Sequence, residues 1–183
     1  MLYRLFPWDA GAGDRAPGGP LFVPRHLQGR GRHDDPSRYG AVYLSRSRVS
    51  VVAELLRLLQ PERVGPHDLR DGGRPYAVAA FDEGGLRGLI DLDEPGVLVE
   101  RGLRPSGIAT RDREATQAIA VDAYEDGFLG LEWWSTVEAS WINVTLFAER
   151  ALDHLVLAGR PDPLRLDHPT VREAAEAVGV LLR

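Results

Sequence analysis

Residues that could do chemistry are concentrated in one stretch of this sequence, from Gly29 to Leu59. It carries Arg32 in a polar loop, Tyr43 in a short apolar segment and Glu54 in a longer one. A guanidinium binds phosphate oxygens in a bidentate way, a tyrosine ring stacks on planar groups, and a carboxylate stabilises developing positive charge. The stretch therefore combines a candidate oxyanion ligand, a candidate stacking residue and a candidate catalytic carboxylate.

The pattern around these residues predicts a loop, a strand and a helix. Residues Ala41 to Ser45 alternate apolar and polar, which is typical of a half-buried strand. The helix that follows is predicted to end at Gln60-Pro61 and to be mostly buried, because its apolar stripe covers more than half of its circumference. Glu54 lies in the narrow polar remainder. The apolar positions are Val49, Val51, Val52, Ala53, Leu55, Leu56, Leu58 and Leu59, and the other polar ones are Ser47, Ser50 and Arg57.

Each candidate also has an ordinary structural interpretation. A single glutamate in a helix is usually solvated, and Tyr43 could be a core aromatic whose hydroxyl reaches solvent. Arg32 and Arg4 are candidates for a diphosphate, yet either could form a surface salt bridge. Arginine is frequent here, as Arg30, Arg38, Arg46 and Arg48 show.

Composition limits the classes of protein to consider. With 183 residues, 44% hydrophobic and 27% charged, the chain is predicted to be one globular domain spanning residues 1–183. The formal charge of -5 argues against binding nucleic acid through phosphate contacts, and the absence of cysteine excludes disulfides and thiolate chemistry. The chain begins without a signal-peptide pattern and has no long apolar run, so we expect a cytoplasmic protein with no membrane contact.

Strands and helices are predicted to alternate irregularly, which favours an α+β fold with mixed or antiparallel sheets and flanking helices. A helix is expected from Thr110 to Tyr124, with Ala115, Ala118, Ile119 and Asp122 on one line and Gly127 as its C-terminal cap. A capping box beginning at Thr170 predicts a final amphipathic helix that runs through Leu182. Further strands are predicted at Leu2 to Phe6, Tyr76 to Phe81, Leu86 to Leu92, Phe128 to Trp134, Ile142 to Phe147, Leu155 to Ala158 and Leu164 to Leu166.

Three motif-like segments do not support other chemistries. Gly11 to Ala16 matches a dinucleotide-binding fingerprint, but the prolines and glycines after it prevent the helix that would hold a pyrophosphate. His33-Asp34-Asp35 lacks a second spaced group of ligands, so no metal site is predicted. Ser135 has no nucleophile-elbow motif around it and is not expected to be a hydrolase nucleophile.

The order of these motifs resembles the RES domain, the toxin half of Xre-RES toxin-antitoxin systems. The resemblance rests first on Gly31, Arg32, Tyr43 and Glu54. It continues in three further blocks: Gly88 to Leu103, Thr110 to Ala120, and Asp126 to Ser135. The sequence departs from the family pattern after Arg32, where His33 replaces the usual aromatic and Asp34, Asp35 and Pro36 replace an Asn-Pro pair.

The resemblance implies a fold like that of ADP-ribosyltransferases and a site for NAD. By it, Arg4 and Arg32 would bind the diphosphate, Tyr43 would stack on nicotinamide and Glu54 would stabilise the oxocarbenium-like transition state. Arg32 and Tyr43 would thus act with Glu54 in catalysis. The family serine that contributes to the NAD site falls on Ser135, with Ser140 as the competing position.

The implied activity is cleavage of the nicotinamide–ribose bond of NAD, with water or inorganic phosphate as acceptor and no metal. The implied partner is an Xre-type helix-turn-helix antitoxin. The chain is expected to form a homodimer or a hetero-oligomer with this partner. Two alternatives stay open. The same site could transfer ADP-ribose to a protein, or the chain could be a catalytically silent binding domain.

Overall fold

A computed structural model describes residues 1–59 and 62–183. The predicted end of the first long helix, at Gln60-Pro61, lies outside the described residues. The strands are β1 (Leu2–Pro7), β2 (Ala41–Ser45), β3 (Arg63–Val64), β4 (Arg70–Asp71), β5 (Arg74–Asp82), β6 (Leu89–Asp91), β7 (Gly130–Trp134), β8 (Ile142–Phe147), β9 (Val156–Leu157), β10 (Asp162–Pro163) and β11 (Leu181–Leu182). The helices are α1 (Arg48–Leu59), α2 (Pro95–Glu100), α3 (Pro105–Ile108), α4 (Arg113–Glu125), α5 (Ala148–Ala151) and α6 (Pro169–Val178), with 3₁₀ turns at Arg25–Leu27 and Leu152–His154.

The predicted fold class is confirmed, because helices flank strands that pair mostly antiparallel. Antiparallel pairs include β1 with β5 and β7 with β8, whereas β6 with β7 and β3 with β11 are parallel. No helix within residues 1–59 and 62–183 is both long and apolar enough to cross a bilayer.

The chain divides into two compact units. The first comprises Met1–Phe22, Leu44–Asp82 and Leu157–Arg183, and the second comprises Val23–Tyr43 and Glu83–Val156. The single domain expected for residues 1–183 stays a prediction.

The first unit is built on the pairing of β1 with β5, which runs in register from Leu2 opposite Phe81 to Pro7 opposite Tyr76. Helix α1 packs against β1 and α6. The Ser47 hydroxyl accepts a hydrogen bond from the backbone N–H of Ser50 at 3.2 Å, so α1 begins directly after a capping residue.

Helix α1 follows β2 as predicted, but the prediction that it is mostly buried was wrong for its last turn. Leu58 is 79% exposed and Leu59 is 44% exposed, whereas Ser50, assigned to the polar wedge, is buried. The buried face is the one that meets β1 and α6, and hydrophobicity alone could not identify it because nearly every face of the helix is apolar. Glu54 is half-buried.

The first unit also corrects the prediction for the C-terminus. The cap of α6 is His168, whose Nδ1 accepts from the backbone N–H of Thr170 at 3.1 Å, so Thr170 lies inside the helix and does not begin a capping box. The helix ends at Gly179, which adopts φ +72°, and Leu181 and Leu182 leave it to form β11 beside β3. The short strand predicted at Leu164 to Leu166 lies earlier in the chain, as β10 at Asp162–Pro163.

Residues 9–22 of the first unit form a succession of turns with no helix, as their prolines and glycines predict. Backbone hydrogen bonds from Asp9 to Gly18 and from Leu21 to Asp14 close the loop on itself. A Cβ on Gly19 would lie 2.1 Å from the carbonyl oxygen of Gly13, so this crossing requires glycine.

The core of the second unit is aromatic at its centre. The ring of Tyr39 lies 4.4 Å from that of Phe147 and 4.9 Å from that of Tyr124. Around these rings pack further buried residues: Ala41, Ile90, Leu92, Leu98, Ile108, Ala120, Ala123, Leu131 and Trp133.

Helix α4 starts later than predicted and buries a different face. It begins at Arg113 because the Asp112 carboxylate accepts from the backbone N–H of Ala115 and caps it. Ala118 and Asp122 are exposed, and the buried residues are Thr116, Ala120 and Ala123. The C-terminal cap at Gly127, with φ +89°, was predicted correctly.

Candidate functional site

Arg32 is buried inside the second unit, with 7% of its surface exposed. Its Nη1 donates to the carbonyl oxygens of Ile108 at 2.9 Å and Thr110 at 2.8 Å. Its guanidinium carbon lies 4.8 Å from the ring centre of Trp133, in cation–π range. Arg32 therefore holds the segment after α3 in place and carries its charge in a fixed position.

The hydroxyl of Tyr43 is fixed on both sides. It donates to Asp34 Oδ1 at 2.6 Å and accepts from the backbone N–H of His33 at 2.9 Å. Burial and the neighbouring Asp34 carboxylate raise the pKa of Tyr43 well above its ordinary value. Tyr43 is thus protonated at neutral pH, and what it can offer a ligand is its ring.

Asp34 is the centre of this hydrogen-bond network. Besides the Tyr43 hydroxyl, it accepts from the backbone N–H groups of Gly29 at 2.8 Å and Gly31 at 2.7 Å. A Cβ on Gly31 would lie 2.4 Å from the Tyr43 oxygen and 2.5 Å from Asp34 Oδ1, so no side chain fits at this position. The family-like glycine before Arg32 is explained by this close approach.

His33 serves as the aromatic residue of the loop. Its ring is buried, meets Trp133 edge-on at 5.3 Å and lies 6.5 Å from the ring of Tyr43, nearly parallel to it. Its Nδ1 lies 2.8 Å from Thr145 Oγ1, which also accepts from Trp133 Nε1 at 3.3 Å.

The pKa of His33 lies well below its usual value because of burial and the positive charges of Arg32 and Arg113. The imidazole is therefore neutral at pH 7.

Asp35, the third residue of the segment His33-Asp34-Asp35, accepts from the backbone N–H of Ser37 and from Arg38 in a surface turn. Among residues 1–59 and 62–183, no three His, Cys, Asp or Glu side chains are grouped closely enough to hold a metal ion.

The structure places Ser135 in the second unit, directly after β7, and buries it to 2% exposure. Its Oγ accepts from the backbone N–H of Val137 at 3.1 Å. Ser140, the competing candidate, is exposed and donates to Glu138 at 3.1 Å.

The other two predicted residues belong to the first unit. Arg4, on β1, donates from Nη1 to the carbonyl oxygen of Pro20 at 2.6 Å and from Nη2 to that of Phe22 at 2.8 Å. Burial lowers the pKa of Arg4 to about 10, so it stays charged at neutral pH. Glu54 lies on α1, which packs against β1.

Of the predicted residues, Arg32 and Tyr43 share one loop, because the Tyr43 hydroxyl is hydrogen-bonded to His33 and Asp34, the two residues after Arg32. Ser135 shares their unit, and Arg4 and Glu54 share the other. Residues that sequence reasoning did not assign to the site are Asp34, Thr116, whose hydroxyl donates to the carbonyl of Arg32 at 2.6 Å, and Gln117, whose amide donates to that of Gly31 at 2.9 Å. Thr116 and Gln117 lie in the family-like block Thr110 to Ala120, and Asp34 lies where the sequence departs from the family pattern.

Comparison with known proteins establishes the family. The family model described as "RES domain" matches residues 2–167. The chain is a RES domain protein. The resemblance predicted from the motifs is thereby confirmed.

Among solved structures, this RES domain is similar to a chain in the crystal structure of the M. tuberculosis MbcT-MbcA toxin-antitoxin complex. The match covers 98% of this chain and 88% of that chain, with 20% sequence identity and a TM-score of 0.64. At this identity, the likeness supports the fold. Among curated proteins, none matches the sequence.

Proposed function

We propose that this RES domain is the toxin of a toxin-antitoxin system and acts by degrading NAD. The observation that carries the proposal is the pairing of Arg32 and Tyr43. Tyr43 is hydrogen-bonded to the two residues that follow Arg32 in the loop: its hydroxyl accepts from the backbone N–H of His33 and donates to Asp34. A fixed guanidinium charge suits a diphosphate, and a fixed ring suits nicotinamide.

In the proposed reaction, the bond between nicotinamide and ribose breaks, nicotinamide leaves with the bonding electrons, and positive charge develops on the ribose. Glu54 stabilises that charge as a carboxylate, and Arg4 and Arg32 attract the diphosphate. Tyr43 and His33 do not supply charge, because their pKa shifts keep both neutral near pH 7. Ser135 is proposed to contribute to NAD binding.

The acceptor distinguishes the enzymatic outcomes. Water gives ADP-ribose, inorganic phosphate gives the phosphorylated ADP-ribose, and a protein side chain gives an ADP-ribosylated protein. The test is mass spectrometry of NAD incubated with the purified chain, with and without phosphate and with a cell extract as protein acceptor. Nicotinamide release that depends on Glu54 supports the proposal. If NAD shifts the melting temperature but no nicotinamide is released, the chain is a binding domain.

We also propose an Xre-type helix-turn-helix antitoxin as partner. The similar M. tuberculosis structure is described as a toxin-antitoxin complex, which supports a partner of this kind. An enzyme that destroys a central cofactor needs control in the cell that makes it, and an antitoxin segment bearing a carboxylate could occupy the phosphate position. Co-expression with the adjacent gene and size-exclusion chromatography test this. The absence of a complex, or a complex as active as the isolated chain, would contradict it.

A further inference from the structure

We propose that Asp34 is a positioning residue that fixes the ring of Tyr43 for binding the substrate. The inference rests on the function proposed above, and it assigns a purpose to the position where the sequence departs from the family pattern. Asp34 is 6% exposed and does not need to touch the substrate to act. Its effect passes through the Tyr43 hydroxyl, 2.6 Å from Oδ1.

The geometry around Asp34 requires a carboxylate. Three donors converge on its two oxygens: the Tyr43 hydroxyl on Oδ1, and the backbone N–H groups of Gly29 and Gly31 on Oδ2. An asparagine has only one acceptor oxygen. In Asp34→Asn, that oxygen can serve the two glycine amides and keep the loop closed, but the amide nitrogen then faces Tyr43 and cannot accept its proton.

The consequence for Tyr43 is loss of a fixed ring orientation. Its hydroxyl is now held between one acceptor and one donor, Asp34 and the N–H of His33. The side chain is only partly buried, so packing alone does not immobilise it. Without the Asp34 acceptor the ring gains freedom, and substrate binding must then fix it at an entropic cost.

A double-mutant cycle separates this role from a structural one. Asp34→Asn and Tyr43→Phe should each lower kcat/KM for nicotinamide release by about tenfold, mainly through KM for NAD. The double variant should also be lowered by about tenfold, because Asp34 has no hydroxyl to hold once Tyr43 is phenylalanine. The matched control is Asp35→Asn, the same change at the adjacent residue, which should retain wild-type kinetics.

A double variant lowered by about a hundredfold, the product of independent effects, overturns the proposal. So does an Asp34→Asn variant with unchanged KM, or one whose loss only follows its folded fraction in urea unfolding. NAD affinity is measured by calorimetry on the wild type and the three variants of the cycle. This measurement distinguishes failure of the proposed activity from failure of the proposed role of Asp34. If the wild type binds NAD without releasing nicotinamide, the proposed activity is wrong while the cycle in Kd still tests Asp34. If the wild type neither binds nor cleaves NAD, both are wrong.

Discussion

Replacing Arg32 by alanine should destabilise the fold as well as abolish activity. The side chain makes two hydrogen bonds to carbonyl oxygens in the second unit, at 2.9 and 2.8 Å, and stacks over Trp133. A hydrogen bond that involves a charged group contributes about 1.5–3 kcal/mol, and a cation–π contact about 0.5–2 kcal/mol. Because such contributions are not fully additive, we expect Arg32→Ala to lower the free energy of unfolding by about 3–5 kcal/mol.

Arg32→Lys provides the informative comparison. Lysine keeps the charge, but its ammonium is not planar and cannot lie flat over Trp133 while one nitrogen donates to the carbonyls of Ile108 and Thr110. We expect a loss of about 1.5–3 kcal/mol in unfolding free energy, the value of one charge-assisted bond. Nicotinamide release should fall nearly as far as in Arg32→Ala when both rates are corrected for the folded fraction.

The assay is urea denaturation followed by tryptophan fluorescence, with nicotinamide release measured on the same samples. Arg30→Ala is the matched control, since Arg30 is an exposed arginine of the same loop and should change stability by less than about 0.5 kcal/mol. If Arg32→Ala is as stable as Arg30→Ala, the carbonyl contacts do not hold the segment after α3. If lysine restores full activity, Arg32 acts only as a general positive field.

Three further predictions concern other residues. Glu54→Gln should keep the fold, because the change is nearly isosteric, and should lower nicotinamide release by at least about a hundredfold; an unchanged rate would remove Glu54 from the mechanism. The lowered pKa of His33 means that the folded state binds fewer protons than the unfolded state, so this contribution to stability is present above the ordinary value of 6.5 and is lost as pH falls below it. Urea midpoints between about pH 5 and 7.5 should show this slope, and it should be reduced in His33→Phe. Gly31→Ala should cost about 1–3 kcal/mol of unfolding free energy, because its Cβ would clash with Tyr43 and Asp34, whereas Gly107→Ala, with no atom within 4 Å of the added Cβ, should be neutral.

Local patterns in the sequence were sufficient for the main elements around the site. Strands β2 and β8 have the predicted bounds and helix α1 follows β2 as predicted, because alternation and helical spacing lie within each segment itself. The α+β class and the RES family also followed from the order of motifs along the chain.

Tertiary structure decided which face of each helix is buried and what each candidate side chain contacts. Helix α4 buries Thr116, Ala120 and Ala123 because of what packs against it. Alanines occur on several faces of this helix, so its sequence alone does not identify the buried face. The Arg32 side chain donates hydrogen bonds to the carbonyl oxygens of residues 108 and 110, which are 76 and 78 positions away in the sequence. No pattern local to the loop specifies such partners.

The same reason explains why the role of Asp34 could not be predicted. In sequence it is one of two adjacent aspartates, and no local pattern shows which of the two is buried. In the structure, Asp34 is buried under three donors, while Asp35 lies in a surface turn. Sequence fixes which groups are available for hydrogen bonding, but burial determines which of them must be paired, and burial is a property of the whole fold.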